Sequence, residues 1–236
     1  MASRQGRAPD ELRALVIERG VSRHAEGSAL IQLGHTQVRV TATLENRVPP
    51  HVRGSKQGWL MADYALLPRS THERISREKM AQGGRKQEIQ RLMGRAFRAC
   101  VDLRLFRDKT LIIDADVLQA DGGTRVASIL GGYAALHDLA DRMVRSGKLT
   151  EWPLTHEIGA VSVGVVDGEV RLDLDYLEDV RAEADLNVVA TREGLILEVQ
   201  GGTERDPLPP GRFREMVDLG VRGVQTLLDR YREQLR

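Results

Sequence analysis

Apolar and polar positions alternate along much of the stretch from Leu12 to Leu44. Leu15-Val16-Ile17 and Ala29-Leu30-Ile31-Gln32-Leu33 read as short strands, and Val38-Arg39-Val40-Thr41-Ala42-Thr43-Leu44 has the period of a half-buried strand. The Gly34-His35 pair between the last two is a tight-turn signal, so the spacing predicts a hairpin. Trp59 to Leu67 returns to strand character and ends at Pro68. From Arg85 the period becomes helical. Ile89, Leu92, Met93, Ala96, Phe97 and Cys100 share one face, opposite Arg91, Arg95, Arg98 and Asp102. An apolar strand, Leu111 to Val117, then leads through Asp121-Gly122-Gly123-Thr124-Arg125 into a second long helix. Its apolar stripe is Val126, Ile129, Leu130, Tyr133, Leu136, Ala140 and Val144, with Ser146-Gly147 as its stop. Gly131 and Gly132 inside it each cost about 1 kcal/mol relative to Ala, which predicts another backbone packed there.

The second half starts like the first, a hint of internal duplication. Ile158 to Val166 meets Val170-Arg171-Leu172-Asp173-Leu174 across Asp167-Gly168, a strong hairpin signal. Asp175 to Asp185 is an acidic loop or short helix, Leu186 to Thr191 and Leu195 to Gln200 form another strand pair, and Gly201 to Gly211 reads as a loop. Phe213, Met216, Val217, Gly220, Val224, Leu227, Leu228, Tyr231 and Leu235 fall on one face of a last helix.

Net charge is only +1, but it is unevenly spread. Between Arg69 and Arg107 eleven Lys or Arg face four acids, and between Asp167 and Asn187 eight acids face Arg171 and Arg181. One half therefore attracts a polyanion and the other could hold a divalent cation. Thirty arginines against five lysines favour bidentate phosphate contacts, although a genome rich in G and C gives the same bias. The single cysteine, Cys100, excludes an intrachain disulfide and reads as a core thiol. No secretory pattern opens the chain and no apolar run approaches a membrane span, so a cytoplasmic protein with no membrane partner is expected.

Candidate chemistry gathers at the loop before the second long helix. Gly122 and Gly123 can take backbone angles closed to other residues, Thr124 suits an N-cap, and Arg125 adds a fork of donors beside the free N–H groups of the first turn. This reads as an anion seat, or simply as a strand-to-helix turn. It lacks the Gly-Lys-Ser/Thr of a triphosphate loop and the three-glycine dinucleotide fingerprint. Arg85, beside Gly83-Gly84 at a helix start, could face the same anion or be exposed. The tract from Arg69 to Lys79 is either a solvated face or a basic loop that tracks a nucleic-acid backbone. Asp179 and Asp185 are either ordinary loop acids or a pair able to hold Mg²⁺ and move a proton. Alternation puts Asp185 and Asn187 on one face of their strand.

Several stretches together resemble the ribonuclease PH family, in order and over nearly the whole chain. They are Gln119 to Arg125, Arg69 to Arg77 after Leu67-Pro68, Glu88 to Arg95, and Glu178-Asp179 followed by Ala182 to Val188. Arg7 to Arg13, His24 to Ser28 and Asn46 to Pro50 add to these. The resemblance implies an α+β fold of two related βαβα halves in one compact domain over residues 1–236. It implies a phosphorolytic 3′→5′ exoribonuclease, a nucleotidyltransferase trimming the 3′ ends of tRNA precursors with inorganic phosphate as nucleophile and releasing nucleoside 5′-diphosphates. By the same resemblance Gly123, Thr124, Arg125 and Arg85 bind phosphate, and Asp179 and Asp185 are the acidic pair near Mg²⁺, with Asp185 assisting the leaving 3′ oxygen. Arg69, Arg74 and Arg77 grip RNA from a neighbouring subunit of a homohexamer built as a trimer of dimers. Asp63 stands where the family pattern has glutamate, Leu177 interrupts an acidic run, the basic tract near Met80 is shorter, and Gly201 to Pro207 is unusual. The alternatives are a catalytically silent RNA-binding ring subunit of an exosome-like assembly and a small-molecule phosphotransferase.

Overall fold

The computed structural model describes residues 4, 6–77, 84–203 and 206–235. The first half comprises strands β1 (Leu15–Arg19), β2 (Gly27–Leu33), β3 (Thr36–Glu45) and β4 (Trp59–Leu66), helix α1 (Gly84–Cys100), strand β5 (Thr110–Gln119) and helix α2 (Thr124–Arg145). The second comprises β6 (Ile158–Val166), β7 (Glu169–Leu172), the short helix α3 (Tyr176–Arg181), β8 (Ala184–Thr191), β9 (Ile196–Thr203) and α4 (Pro210–Leu235). They form two sheets, β1-β2-β3-β5-β4 and β7-β6-β8-β9. This is the mixed α+β architecture expected.

The turns follow local chemistry. Leu33 pairs with Thr36 across Gly34-His35, and Val166 pairs with Glu169 across Asp167-Gly168, where both turn residues are left-handed (φ 54° and 76°) as a type I′ hairpin requires. The pairing of β4 with β5 is parallel, and α1 is the crossover it needs. Every other pairing among the described strands is antiparallel. Because β4 and β5 run the same way, the chain leaving each emerges at one edge, and the Ala120 N–H donates to the Ser70 carbonyl at 2.8 Å to fasten the two exits together. That edge carries the candidate site.

One apolar core runs through residues of both halves, with α2 lying against β2, β3 and β6. The predicted face of α1 is buried as read, and burial pushes the Cys100 thiol up to about 12. At Gly131 and Gly132 the neighbours are side chains rather than the expected backbone. A Cβ there would meet Val40 at 2.6 Å and the Phe97 ring at 2.2 Å, respectively. The close backbone approach is one turn along, where a Cβ on Gly27 of β2 would lie 2.1 Å from the Ala135 carbonyl. Phe213 in the first turn of α4 and Val144 in the last turn of α2 are exposed, while Met216, Val224, Leu227 and Leu228 are buried. The side chains of Tyr231 and Leu235 lie outside the described residues.

The expected loop from Gly201 is strand as far as Thr203, pairing with Ala184 to Leu186. The physical reason is Gly201 itself: at φ 145° its Cα sits against Asp185, and a Cβ would come within 2.0 Å of the Asp185 carbonyl. Glycine thus lets β9 back directly onto the residue of interest. Among the described residues, no helix is long and apolar enough to cross a membrane.

Candidate active site

The anion loop is pinned from both sides. Gly122 and Gly123 are both left-handed, at φ 72° and 68°. The Thr36 hydroxyl donates to the Gly122 carbonyl at 2.7 Å and accepts the Asp121 N–H at 2.9 Å. A Cβ on Gly122 would lie 2.6 to 2.8 Å from backbone atoms of Asp175, Leu174 and Tyr176, so the loop of the first half rests on the entrance to α3 in the second. Thr124 is not the N-cap. Gly123 caps α2 in a left-handed conformation without a side-chain bond, which makes Thr124 the first helical residue. Its hydroxyl instead meets the buried Tyr64 hydroxyl at 2.9 Å, and burial holds that phenol above its ordinary pKa.

A cleft of about 380 Å³ is lined by Arg85, Gly123, Thr124 and Arg125 from the first half and by Asp179 and Asp185 from the second. Cations and carboxylates read from separate stretches thus face one space. Arg125 is largely buried, and its Nη1 bonds the Glu88 Oε1 at 3.1 Å, which fixes one edge of the guanidinium. Arg85, one turn before Glu88 on α1, is exposed. Ser162 and Asn187, opposite each other on β6 and β8, also line the cleft and had no role in the sequence reading. Only the alternation that put Asn187 beside Asp185 pointed to the latter. Asp63 accepts from Lys86 at 2.9 Å and from Gln90 at 2.5 Å, tying β4 to the start of α1. Burial opposes its charge, but these bonds hold its carboxyl below the usual range.

The described residues before β1 pack against the second half through their arginines. Arg13 is buried, donating through Nε and Nη2 to Asp173 Oδ1 at 3.1 and 2.7 Å, through its own N–H to Oδ2 at 2.7 Å, and through Nη1 to the Asp121 carbonyl at 2.7 Å. Burial alone would lower the Arg13 pKa, and Asp173 raises it above its ordinary value. Glu178, next to Asp179, accepts from Arg4 at 3.0 Å, Arg171 at 3.3 Å and Arg7 at 3.5 Å, while it and Asp175 form a capping box on α3. Much of the local acidic excess is therefore neutralised inside the fold, and the acids that face the cleft are Asp179 and Asp185.

Of the basic tract, Arg69, Arg74 and Arg77 are exposed and lie outside that lining. The Arg69 guanidinium donates to the carbonyls of Thr71 and His72 and so shapes its own loop. Residues 78–83, with Lys79 and Met80, lie outside the described residues.

Residues 11–140 match the 3′ exoribonuclease family, domain 1, and residues 156–223 match domain 2. The chain is 51% identical over 232 residues to ribonuclease PH of Deinococcus radiodurans, covering 98% of this chain and 94% of that one. It is 49% identical over 233 residues to ribonuclease PH of Mycolicibacterium smegmatis, covering 98% and 90%. In fold it is similar to rice (Oryza sativa) Rrp46, with a TM-score of 0.78 at 19% identity over 98% of this chain and 99% of that one. It is also similar to an Archaeoglobus fulgidus exosome with RNA bound to the active site, with a TM-score of 0.80 at 22% identity over 96% and 91%. Matches to both domains, and near-half identity along almost the full length, place the chain in the ribonuclease PH family of 3′ exoribonucleases.

Proposed function

We propose that this protein is a phosphorolytic 3′→5′ exoribonuclease that trims the 3′ ends of tRNA precursors, and that it works as a cytoplasmic homohexamer, a trimer of dimers. The observation that carries the reading is the single cleft walled by Arg85, Arg125 and the α2 N-terminus on one side and by Asp179 and Asp185 on the other. A dianionic nucleophile approaching an anionic diester is repelled unless both are neutralised. A fixed field of guanidinium and helix N–H groups does this without reorganising during the reaction.

In this mechanism Arg85, Arg125, Gly123 and Thr124 seat inorganic phosphate. Its oxygen attacks the phosphorus of the 3′-terminal nucleotide, and the bond to the preceding 3′ oxygen breaks. That oxygen leaves with a proton that Asp185 supplies and the attacking hydrogen phosphate replaces. The products are a nucleoside 5′-diphosphate and an RNA one nucleotide shorter. Asp179 and Asp185 offer hard oxygen donors suited to Mg²⁺, with the Asn187 amide on the same wall. Among the described residues, no three His, Cys, Asp or Glu side chains converge, so Asp179 and Asp185 are the carboxylates that would hold the ion. When bound, the ion supplies positive charge at the leaving group.

Purified protein with Mg²⁺ and a 3′-extended tRNA is expected to release nucleoside diphosphates only when phosphate is present. Monophosphates without phosphate would identify a hydrolase, and bound RNA with no release would identify a silent ring subunit. Arg74 and Arg77 are assigned to RNA grip across a subunit boundary. Replacing both with alanine is expected to weaken RNA binding and lower the slope of log K against log salt by about 1.4. Anisotropy titrations at several salt concentrations measure this, and an unchanged slope removes both from the RNA contact.

A further inference from the structure

A second cleft, of about 590 Å³, adjoins the first and shares Arg85, Gly123, Thr124 and Asp179 with it. Tyr64, His72 and Tyr176 are part of its lining. Tyr176 is the first residue of α3, directly after the Asp175 N-cap, and is 41% exposed. The His72 ring lies 5.3 Å from the Tyr176 ring, centroid to centroid, at a tilt of 49°. The half-open Tyr176 ring lines a cleft that also carries Arg85 and Asp179. Tyr176 and Asp179 are three residues apart, on one face of α3, and the capping box fixes the helix start that carries them. His72 sits inside the basic tract, so the contact also joins that loop to the helix bearing Asp179.

Resting on the exoribonuclease reading, we propose that Tyr176, with His72 behind it, is a stacking platform for a nucleobase at the RNA 3′ end. An aromatic face suits this task chemically. Every base has a π-face, so stacking adds affinity without demanding a sequence, as an enzyme that removes successive nucleotides requires. Arg125 and Asp185 line only the first cleft and Tyr176 and His72 only the second, while Arg85, Gly123 and Thr124 of the phosphate seat line both, so base and phosphate would sit in adjoining clefts. The packing of His72 on Tyr176 also orders the loop, but that role alone needs neither the ring's exposure nor its position beside Asp179.

The test uses RNAs carrying 2-aminopurine at the last or second-to-last position, bound at saturation without phosphate. Stacking on the ring is expected to quench the fluorescence in the wild type and in Tyr176→Phe, and the quench is expected to be lost in Tyr176→Leu. In phosphorolysis, Tyr176→Leu is expected to raise the KM for RNA about tenfold or more while the KM for phosphate stays within about twofold. His72→Ala is expected to move both readouts the same way by less. Retained quenching with an unchanged KM in Tyr176→Leu overturns the platform, and so does equal loss in Tyr176→Phe, which would make the hydroxyl the operative group. Because quenching is read without turnover, failure of the platform is distinct from failure of the exoribonuclease reading, which the phosphate-dependence assay alone decides.

Discussion

Replacing Arg125 with alanine is expected to abolish phosphate-dependent cleavage while leaving RNA binding largely intact. Arg125 is largely buried, lines the same cleft as Asp179 and Asp185, and keeps one guanidinium edge on Glu88 at 3.1 Å. Removing one preorganised donor from developing charge typically costs about 10² to 10³ in kcat. Here the loss is compounded, because Glu88 would then face the anion seat with its charge uncompensated. Arg125→Ala combined with Glu88→Gln should therefore recover part of the phosphate affinity lost in the single variant. Lysine at 125 should rescue only weakly, since a point charge does not reproduce the planar fork. Steady-state kinetics with varied phosphate, beside equilibrium RNA binding, measure these effects. If RNA affinity fell in step with turnover, Arg125 would belong to the RNA contact.

How far the sequence could be read depended on whether a feature was local. The two hairpins were legible because glycine with a turn former between alternating runs leaves few alternatives, and both occur at Gly34-His35 and Asp167-Gly168. The buried face of α1 followed from period alone. The anion loop was legible as a glycine pair before a helix, but not its cap: the left-handed geometry at Gly123 moves Thr124 one position into the helix and frees its hydroxyl for Tyr64. Nothing local could reveal that Tyr64, sixty residues away, supplies that partner. Asp173 and Glu178 counted toward an unneutralised acidic excess because their partners, Arg13, Arg4 and Arg7, lie far off in sequence. Glu88 had no role of its own in the sequence, because its partner Arg125 lies on a different helix. A residue's charge is readable from sequence, whereas its counter-charge is set by topology.

Asp173→Asn is expected to lower thermal stability sharply and to disturb the site from a distance. Asp173 is 1% exposed, sits at φ 54°, and holds the buried Arg13 through both carboxylate oxygens. Asparagine tolerates the left-handed backbone, so the substitution isolates the loss of charge. A buried guanidinium left without its counter-ion costs about 3–5 kcal/mol. For a chain of this size that is a fall in Tm of roughly 6–20 °C, since each kcal/mol shifts Tm by about 2–4 °C. A fall under about 2 °C in thermal unfolding followed by circular dichroism would falsify the pairing. The consequence for the site follows from Arg13 Nη1, which holds the Asp121 carbonyl at 2.7 Å and so fixes the anion loop relative to the turn before α3. Adding Arg13→Met to Asp173→Asn removes the stranded charge and should restore much of the lost stability, because apolar packing often replaces a buried pair at no net cost. It should not restore the KM for phosphate, because no donor then holds Asp121. Stability and phosphate affinity would part in that double variant only if the pair sets the distance between the cations of one half and the carboxylates of the other.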